Sequence, residues 1–202
     1  MGSVYELAAE SKAVAVVAEK LRFAIGWDAK KGSLKDKIKG LAEEHLGGIS
    51  AGAYDLNIAA LLKFSDGRSE LVFYGAKEDK ASSVYYLKDN RTGSGEGVDE
   101  ALDVTLDRLP ADLTEMVIFT LIFEGNKVKQ NFGMVENFFV MVQDAKSDEV
   151  IYKNDTDTAD AEAAKHSAYV FAKLVKNAGK WELIPQHRFS DENNEQDLVA
   201  GL

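Results

Sequence analysis

Alternating apolar and polar positions recur along most of the chain and predict β-strands rather than helices. The segments Leu21–Trp27 and Leu102–Leu106 follow the period of two that is typical of a strand with one buried face. Between Tyr54 and Phe64, every second residue is apolar and falls on one face, whereas Asp55 and Asn57 fall on the other. The pattern therefore places two polar side chains on one face of an otherwise apolar strand.

Longer apolar runs complete the predicted sheet structure. Met116–Phe123 and Phe138–Val142 are nearly continuous apolar segments, as expected for strands that are covered on both faces. Tyr169–Val175 and Trp181–Pro185 flank a short polar loop and predict a hairpin. Many short strands separated by turn residues favour a mainly β fold, a β-sandwich of antiparallel strands with a few short peripheral helices.

One segment has helical rather than strand periodicity. Ser33 can cap a helix that ends at Gly47-Gly48, and residues 33–52 are interpreted as a helical insertion between two strands. A second short helix is predicted over Asp160–His166, and residues 191–197 predict a solvated or partly helical terminus. No linker divides the chain, so we expect a single domain over residues 1–202, with an atypical N-terminal segment at 1–20.

The charge balance narrows the classes of function. The 202 residues contain 34 acidic and 24 basic side chains, a formal charge of −10, and no cysteine. The acidic surplus argues against nucleic-acid binding, and the lack of cysteine excludes disulfides, thiolate catalysis and thiolate zinc sites. No apolar run approaches the ~20 residues needed to cross a bilayer, and no signal peptide is recognisable. We therefore expect a cytoplasmic protein without membrane insertion.

The chemistry-bearing stretch is the loop between Lys88 and Glu100, where acids surround alternating glycines. Carboxylates and backbone carbonyls at flexible spacing are the ligands that Ca²⁺ prefers. A phosphate cradle would need bare N–H groups and a lysine instead of acids. Arg91 and Ser94 occupy positions where an EF-hand needs an acid and a glycine. From composition alone, a solvated acidic turn remains an equal alternative.

Three acidic segments, and their order along the chain, resemble the acidic motifs of the TerD family of tellurite-resistance and general-stress proteins. The segments are Ile25–Asp28, Tyr54–Asn57 and Asp89–Glu100, and the later segments Leu109–Asp112 and Asn131–Asn137 match further family motifs. The resemblance extends from about Leu21 to Val199. It implies a non-enzymatic β-sandwich that binds one or two Ca²⁺ ions, with the acidic motifs gathered at one end.

The resemblance also implies a set of metal ligands. The expected side-chain ligands are Asp28, Asp55, Asn57, Asp89, Asn90, Glu96, Asp99 and Glu100, with backbone carbonyls from Gly93, Gly95 and Gly97. Compared with the family, Asn57 replaces an aspartate, Lys88 a glycine and Val98 an aspartate. Because ligand charge tunes calcium affinity, we expect weaker binding than in the family.

The resemblance also suggests binding partners, and the expected metal site leaves two alternative functions open. By resemblance, the partners besides calcium would be other tellurite-resistance proteins, including a membrane-associated one. A metal-dependent phosphoesterase is one alternative, and a binder of a nucleotide or small anion bridged by the metal is another, with Arg91 near the loop as a candidate anion contact. Asp103 and Asp107 are interpreted as solvated carboxylates on the outer face of a strand rather than as a catalytic pair.

Overall fold

The structure is a computed structural model that describes residues 4–6, 12–29, 54–93, 96–156, 160–192 and 194–202. The predicted helix from Ser33 to Gly48, the proposed insertion at 33–52 and the expected ligand Gly95 therefore lie outside the described residues.

Within these ranges most of the regular secondary structure is β-strand. They are β1 (Val4–Glu6), β2 (Val14–Ala15), β3 (Lys20–Ala29), β4 (Leu56–Phe64), β5 (Ser69–Val72), β6 (Val84–Lys88), β7 (Glu100–Thr105), β8 (Leu113–Ile122), β9 (Val135–Asp144), β10 (Val150–Asp155), β11 (Ala168–Asn177) and β12 (Lys180–Ser190). The helical elements are α1 (Gly125–Val128), α2 (Glu195–Val199) and the 3-10 turns Leu106–Arg108, Phe132–Met134 and Ala163–Lys165. The helix predicted over Asp160–His166 is thus a single 3-10 turn.

The strands form two antiparallel sheets. The seven-stranded sheet has the order β1-β12-β11-β8-β4-β5, with β2 paired to β12, and the five-stranded sheet has the order β10-β9-β3-β7-β6. The predicted hairpin is β11 and β12, joined through Asn177 and Lys180. The predicted fold class, mainly antiparallel β with short peripheral helices, is confirmed.

The core lies between the two sheets, and the alternation seen in the sequence produces it. Ile58, Ala60 and Leu62 of β4 face the other sheet and are fully buried, as are Phe23 and Ile25 of β3. Removal of this apolar surface from water is the main force that holds the sheets together.

A second, smaller apolar cluster covers the outer face of the seven-stranded sheet. Leu61 of β4 and Phe119 of β8 belong to it, and Leu198 of α2 packs on it with only 1% of its surface exposed. The Lys63 ammonium donates a hydrogen bond to the Leu202 carbonyl at 2.9 Å. The C-terminal segment is therefore packed against the sheet, and no described helix is long and apolar enough to cross a membrane.

The prediction that Asp103 is solvated is wrong. Its side chain is 5% exposed and lies between Lys20 and Arg22, with N–O distances of 2.6 and 2.8 Å. Arg22 is the direct cross-strand neighbour of Asp103 in the β3–β7 register. The acid is buried because two basic side chains from the adjacent strand cover it, whereas Asp107 is exposed in the following 3-10 turn.

Candidate metal site

Three acidic side chains meet where strands of both sheets end. Asp55 directly precedes β4, Asp89 directly follows β6, and Glu100 begins β7. One carboxylate oxygen from each lies within 4.8 Å of the others. All three belong to the ligand set expected from the sequence, and the sandwich brings them together from the two facing sheets.

Glu100 is the innermost of the three acids. It has no exposed surface, and its carboxylate accepts hydrogen bonds from the main-chain N–H groups of Ile58, at 2.8 Å, and Asn90, at 3.3 Å. Burial raises the pKa of Glu100 to about 8, even though these hydrogen bonds and the nearby Tyr86 hydroxyl act to lower it. No described lysine or arginine forms an ion pair with Glu100.

Asp55 lies beside Glu100 with an unsatisfied oxygen. Its Oδ1 atom is buried and has no hydrogen-bond partner among the described residues. Burial, together with the charge of Asp89, raises the pKa of Asp55 to about 6. A buried carboxylate oxygen without a donor is costly in a protein interior. A cation is the kind of group that would satisfy it.

Asn90 and Asp99 lie near the two ends of the loop between β6 and β7. The Asp99 carboxylate accepts hydrogen bonds from the Trp27 main-chain N–H at 2.9 Å and from Asn90 Nδ2 at 2.5 Å. Asn90 Oδ1 in turn accepts a hydrogen bond from the Thr92 main-chain N–H at 3.2 Å. Asp99 is 3% exposed, and burial raises its pKa. These two expected ligands thus tie the loop to β3 and to itself.

Gly93 fits the loop against the Trp27 side chain. Its φ is +60°, and a Cβ atom at this position would lie 2.3 Å from Trp27 Nε1. The indole N–H of Trp27 donates to the Tyr54 carbonyl at 2.9 Å, which joins β3 to the segment that carries Asp55. Of the other loop positions in the expected set, Glu96 and Gly97 are exposed.

Asp28 lies outside the three-acid cluster, at the end of β3. Its Oδ2 atom accepts a hydrogen bond from Asn137 Nδ2 at 2.7 Å. Asn137 has a φ of +55°, and its position in β9 coincides with a break in the register between Gly26 and Asp28. This local bulge turns the Asn137 side chain towards Asp28. A groove of about 430 Å³ runs past both residues and Glu96.

Asn57 shares the outer face of β4 with Ala59 and Leu61, as the alternation predicts, but it is 2% exposed and therefore not solvated. Its Nδ2 atom has no partner among the described residues. The main-chain N–H of the next residue, Ile58, donates to Glu100, and Asn57 lies two positions after Asp55 in the chain.

The basic residues of the loop are on its surface. Lys88 is exposed and donates to the Val98 carbonyl at 3.3 Å, and Arg91 pairs with Asp89 at 3.5 Å while 74% of its side chain is exposed. Solvent screening weakens such surface pairs. The charges of Arg91 and Lys88 act to lower the pKa values of Asp55 and Asp99, respectively, but burial outweighs them and both pKa values are raised.

Two residues near the expected ligands were not anticipated from the sequence. Tyr86 places its hydroxyl near Glu100, and the alternation along β6 already indicates that this tyrosine faces inward. Asn137 lies in a segment that the resemblance singled out, but no local pattern predicts its left-handed backbone.

Comparison with known proteins gives a consistent result. The family model described as TerD domain matches residues 3–186. Tellurium resistance protein TerX of Serratia marcescens is 31% identical over 178 residues, 79% of this chain and 78% of that protein. Stress response protein SCP2 of Bacillus subtilis is 24% identical over 188 residues, 90% of this chain and 88% of that protein.

A solved structure supports the fold. The crystal structure of a homologue of telluride resistance protein TerD from Streptomyces coelicolor superposes with a TM-score of 0.65 at 20% identity. The match covers 87% of this chain and 92% of that one. At this level of identity the likeness concerns the fold alone.

Proposed function

Since the chain belongs to the TerD domain family, of tellurium resistance and stress proteins, we propose that it is a calcium-binding stress-response protein of the tellurite-resistance type. In this proposal it acts as an ion-dependent binding module rather than as an enzyme. Its partners would be other tellurite-resistance proteins, and its location the cytoplasm.

The observation that carries the proposal is the cluster of Asp55, Asp89 and Glu100, with oxygens within 4.8 Å of one another. Burial raises the pKa values of the half-buried Asp55 and the fully buried Glu100, and neither forms an ion pair with a described basic residue. Hard oxygen donors, one of them an unsatisfied buried atom, fit Ca²⁺, which accepts flexible sets of carboxylate and carbonyl oxygens.

In the proposed site, Asp55, Asp89 and Glu100 would supply carboxylate oxygens to the ion. A bound Ca²⁺ would contribute positive charge that offsets the repulsion among these acids. Asp99 and Asn90 would hold the loop in the shape that keeps Asp89 near Glu100. An ordered, neutralised loop then offers a protein partner a different surface from a charged one.

Isothermal titration calorimetry with Ca²⁺, and separately with Mg²⁺, tests the proposal on the wild type and on Asp89→Asn. We expect calcium binding by the wild type, at least tenfold weaker binding by the variant, and little heat with Mg²⁺. Glu78→Gln is the matched control, because Glu78 is an exposed acid outside the cluster. The proposal fails if titration of the wild type with Ca²⁺ releases or absorbs no heat of binding and its melting temperature is the same in chelator and in millimolar Ca²⁺.

A further inference from the structure

The C-terminal helix α2 brings a buried acid to the side of the proposed site. Glu195, the first residue of α2, is 1% exposed although it belongs to a strongly polar run in the sequence. Its Oε1 atom is buried and has no hydrogen-bond partner among the described residues. The carboxylate accepts a hydrogen bond from the Glu195 main-chain N–H, but its buried Oε1 atom is left without a donor, which is costly in a protein interior.

Contacts around Phe123 connect this helix with Asp55. The Phe123 main-chain N–H donates to the Asp55 carbonyl at 2.8 Å. Phe123 also lines a groove of about 550 Å³ together with Asn194 and Asp197, which flank Glu195. Phe123 thus contacts both the start of β4 and the groove that the first turn of α2 lines.

The charges of Glu195 and Asp55 act on each other. Burial raises the pKa of Glu195, and the negative charge of Asp55 raises it further. The ring of Tyr74 packs edge-to-face against the ring of Phe123, with ring centroids 6.0 Å apart. The charges of both acids act on the Tyr74 hydroxyl. Burial raises the pKa of Tyr74, and the charges of Glu195 and Asp55 add to this effect. The two negative charges therefore repel each other.

We propose that Glu195 is a further carboxylate of the cation site, acting on a bound cation at longer range than the three clustered acids, so that cation binding holds α2 on the outer face of the seven-stranded sheet. This inference rests on the proposed function and deepens it. The repulsion between Glu195 and Asp55 opposes docking of α2, and a divalent cation at Asp55 turns it into attraction.

The consequence is reciprocal coupling. Whatever free energy the cation contributes to the docked helix, the docked helix contributes to cation binding. The apolar surface beneath α2 includes Leu61, Phe119 and Val170. Release of the cation weakens the attachment of the segment that covers this surface.

Calorimetric Ca²⁺ titration of Glu195→Gln against the wild type tests the coupling. Glutamine keeps the size of the side chain and removes its charge, so we expect calcium affinity to fall roughly tenfold. We expect Glu195→Gln to melt above the wild type in EGTA, because a buried negative charge that repels Asp55 is gone. Asp197→Asn is the control, because it removes one negative charge from the exposed side of α2. The calcium affinity of this variant should stay within about twofold of the wild-type value.

Hydrogen exchange of residues 194–202, with and without Ca²⁺, supplies the second readout. We expect calcium to slow exchange in the wild type and in Asp197→Asn, but much less in Glu195→Gln. The inference is overturned if the wild type binds calcium and Glu195→Gln binds it equally well, or if Glu195→Gln melts below the wild type in EGTA. A wild type that binds no calcium overturns the proposed function as well, and the wild-type titration alone identifies that case.

Discussion

Glu100 accepts a hydrogen bond from the main-chain N–H of Ile58 at 2.8 Å, although the two residues belong to facing sheets. Ile58 lies beyond the part of β4 that pairs with β5, since that pairing begins at Ala60. Its N–H group is therefore free to bind a side chain from β7 instead of a neighbouring strand. The bond satisfies one backbone donor at the end of the sandwich and fixes a buried carboxylate next to Asp55.

The buried acids predict how stability depends on pH in the absence of metal. Because the pKa of Glu100 is about 8 in the folded protein and 4.5 is its ordinary value, the folded state holds a proton that the unfolded state has lost. Stability should therefore fall as pH rises between about 4.5 and 8, by up to about 1.4 kcal/mol per unit of pKa difference. Asp55 acts in the same direction up to about pH 6.

Urea unfolding in EGTA between pH 5 and pH 9 measures this dependence. Glu100→Gln should flatten the profile, since the residue that binds the extra proton is removed. An unchanged slope in Glu100→Gln would contradict the assignment of this pH dependence to Glu100.

Gly93 should be essential for the loop, because its backbone is left-handed and it touches Trp27. Gly93→Ala places a Cβ atom 2.3 Å from Trp27 Nε1 and 2.7 Å from the Trp27 carbonyl, so backbone or indole must move. Gly67→Ala is the control: its φ is +87°, but no atom lies within 4 Å. We expect Gly67→Ala to cost about 1–2 kcal/mol of unfolding free energy from backbone strain alone, and Gly93→Ala about 1–3 kcal/mol more. Equal losses in chemical denaturation would show that the Trp27 contact is unimportant.

The sequence predicted the strands and their faces better than it predicted the contacts between them. Alternation correctly assigned Ile58 to the core face of β4, because the period of a strand is a local property. The cluster of Asp55 with Glu100 depends on how two sheets face each other, which composition and periodicity do not contain. The resemblance to a family, rather than the local pattern, indicated that these acids gather at one end.

Asp103 and Glu195 show where the local pattern misleads. Asp103 alternates with apolar residues and was expected to be solvated, but strand register sets two basic side chains of β3 over it. Glu195 lies in a polar run, yet the apolar Leu198 three residues later packs on the sheet and brings the helix with it. Burial of a polar residue is decided by its non-local neighbours.

The cluster of Asp103 with Lys20 and Arg22 should contribute to stability. Burial alone would raise the pKa of Asp103, but the hydrogen bonds from Arg22 and Lys20 bring it below its ordinary value. Asp103→Asn should lower the free energy of unfolding by about 1–3 kcal/mol, since it leaves a buried amide beside two cations. The exposed Asp107→Asn should change it by less than about 0.5 kcal/mol. Because the pKa is lowered, the difference between wild type and Asp103→Asn should vanish as acid protonates Asp103. A difference that persists at low pH would contradict an ionic origin.

The left-handed Asn137 should be more tolerant of glycine than of alanine. Asn137→Gly keeps the φ of +55° without strain and loses only the hydrogen bond to Asp28, so it should cost about 0.5–1 kcal/mol in urea unfolding. Asn137→Ala loses the same bond and adds a Cβ atom to a left-handed backbone, which costs about 1 kcal/mol more. The gap between the two variants therefore measures the backbone strain, and the gap between wild type and Asn137→Gly measures the bond. If alanine is tolerated as well as glycine, the left-handed backbone at position 137 imposes no strain on a side chain, which would contradict this account of the bulge in β9.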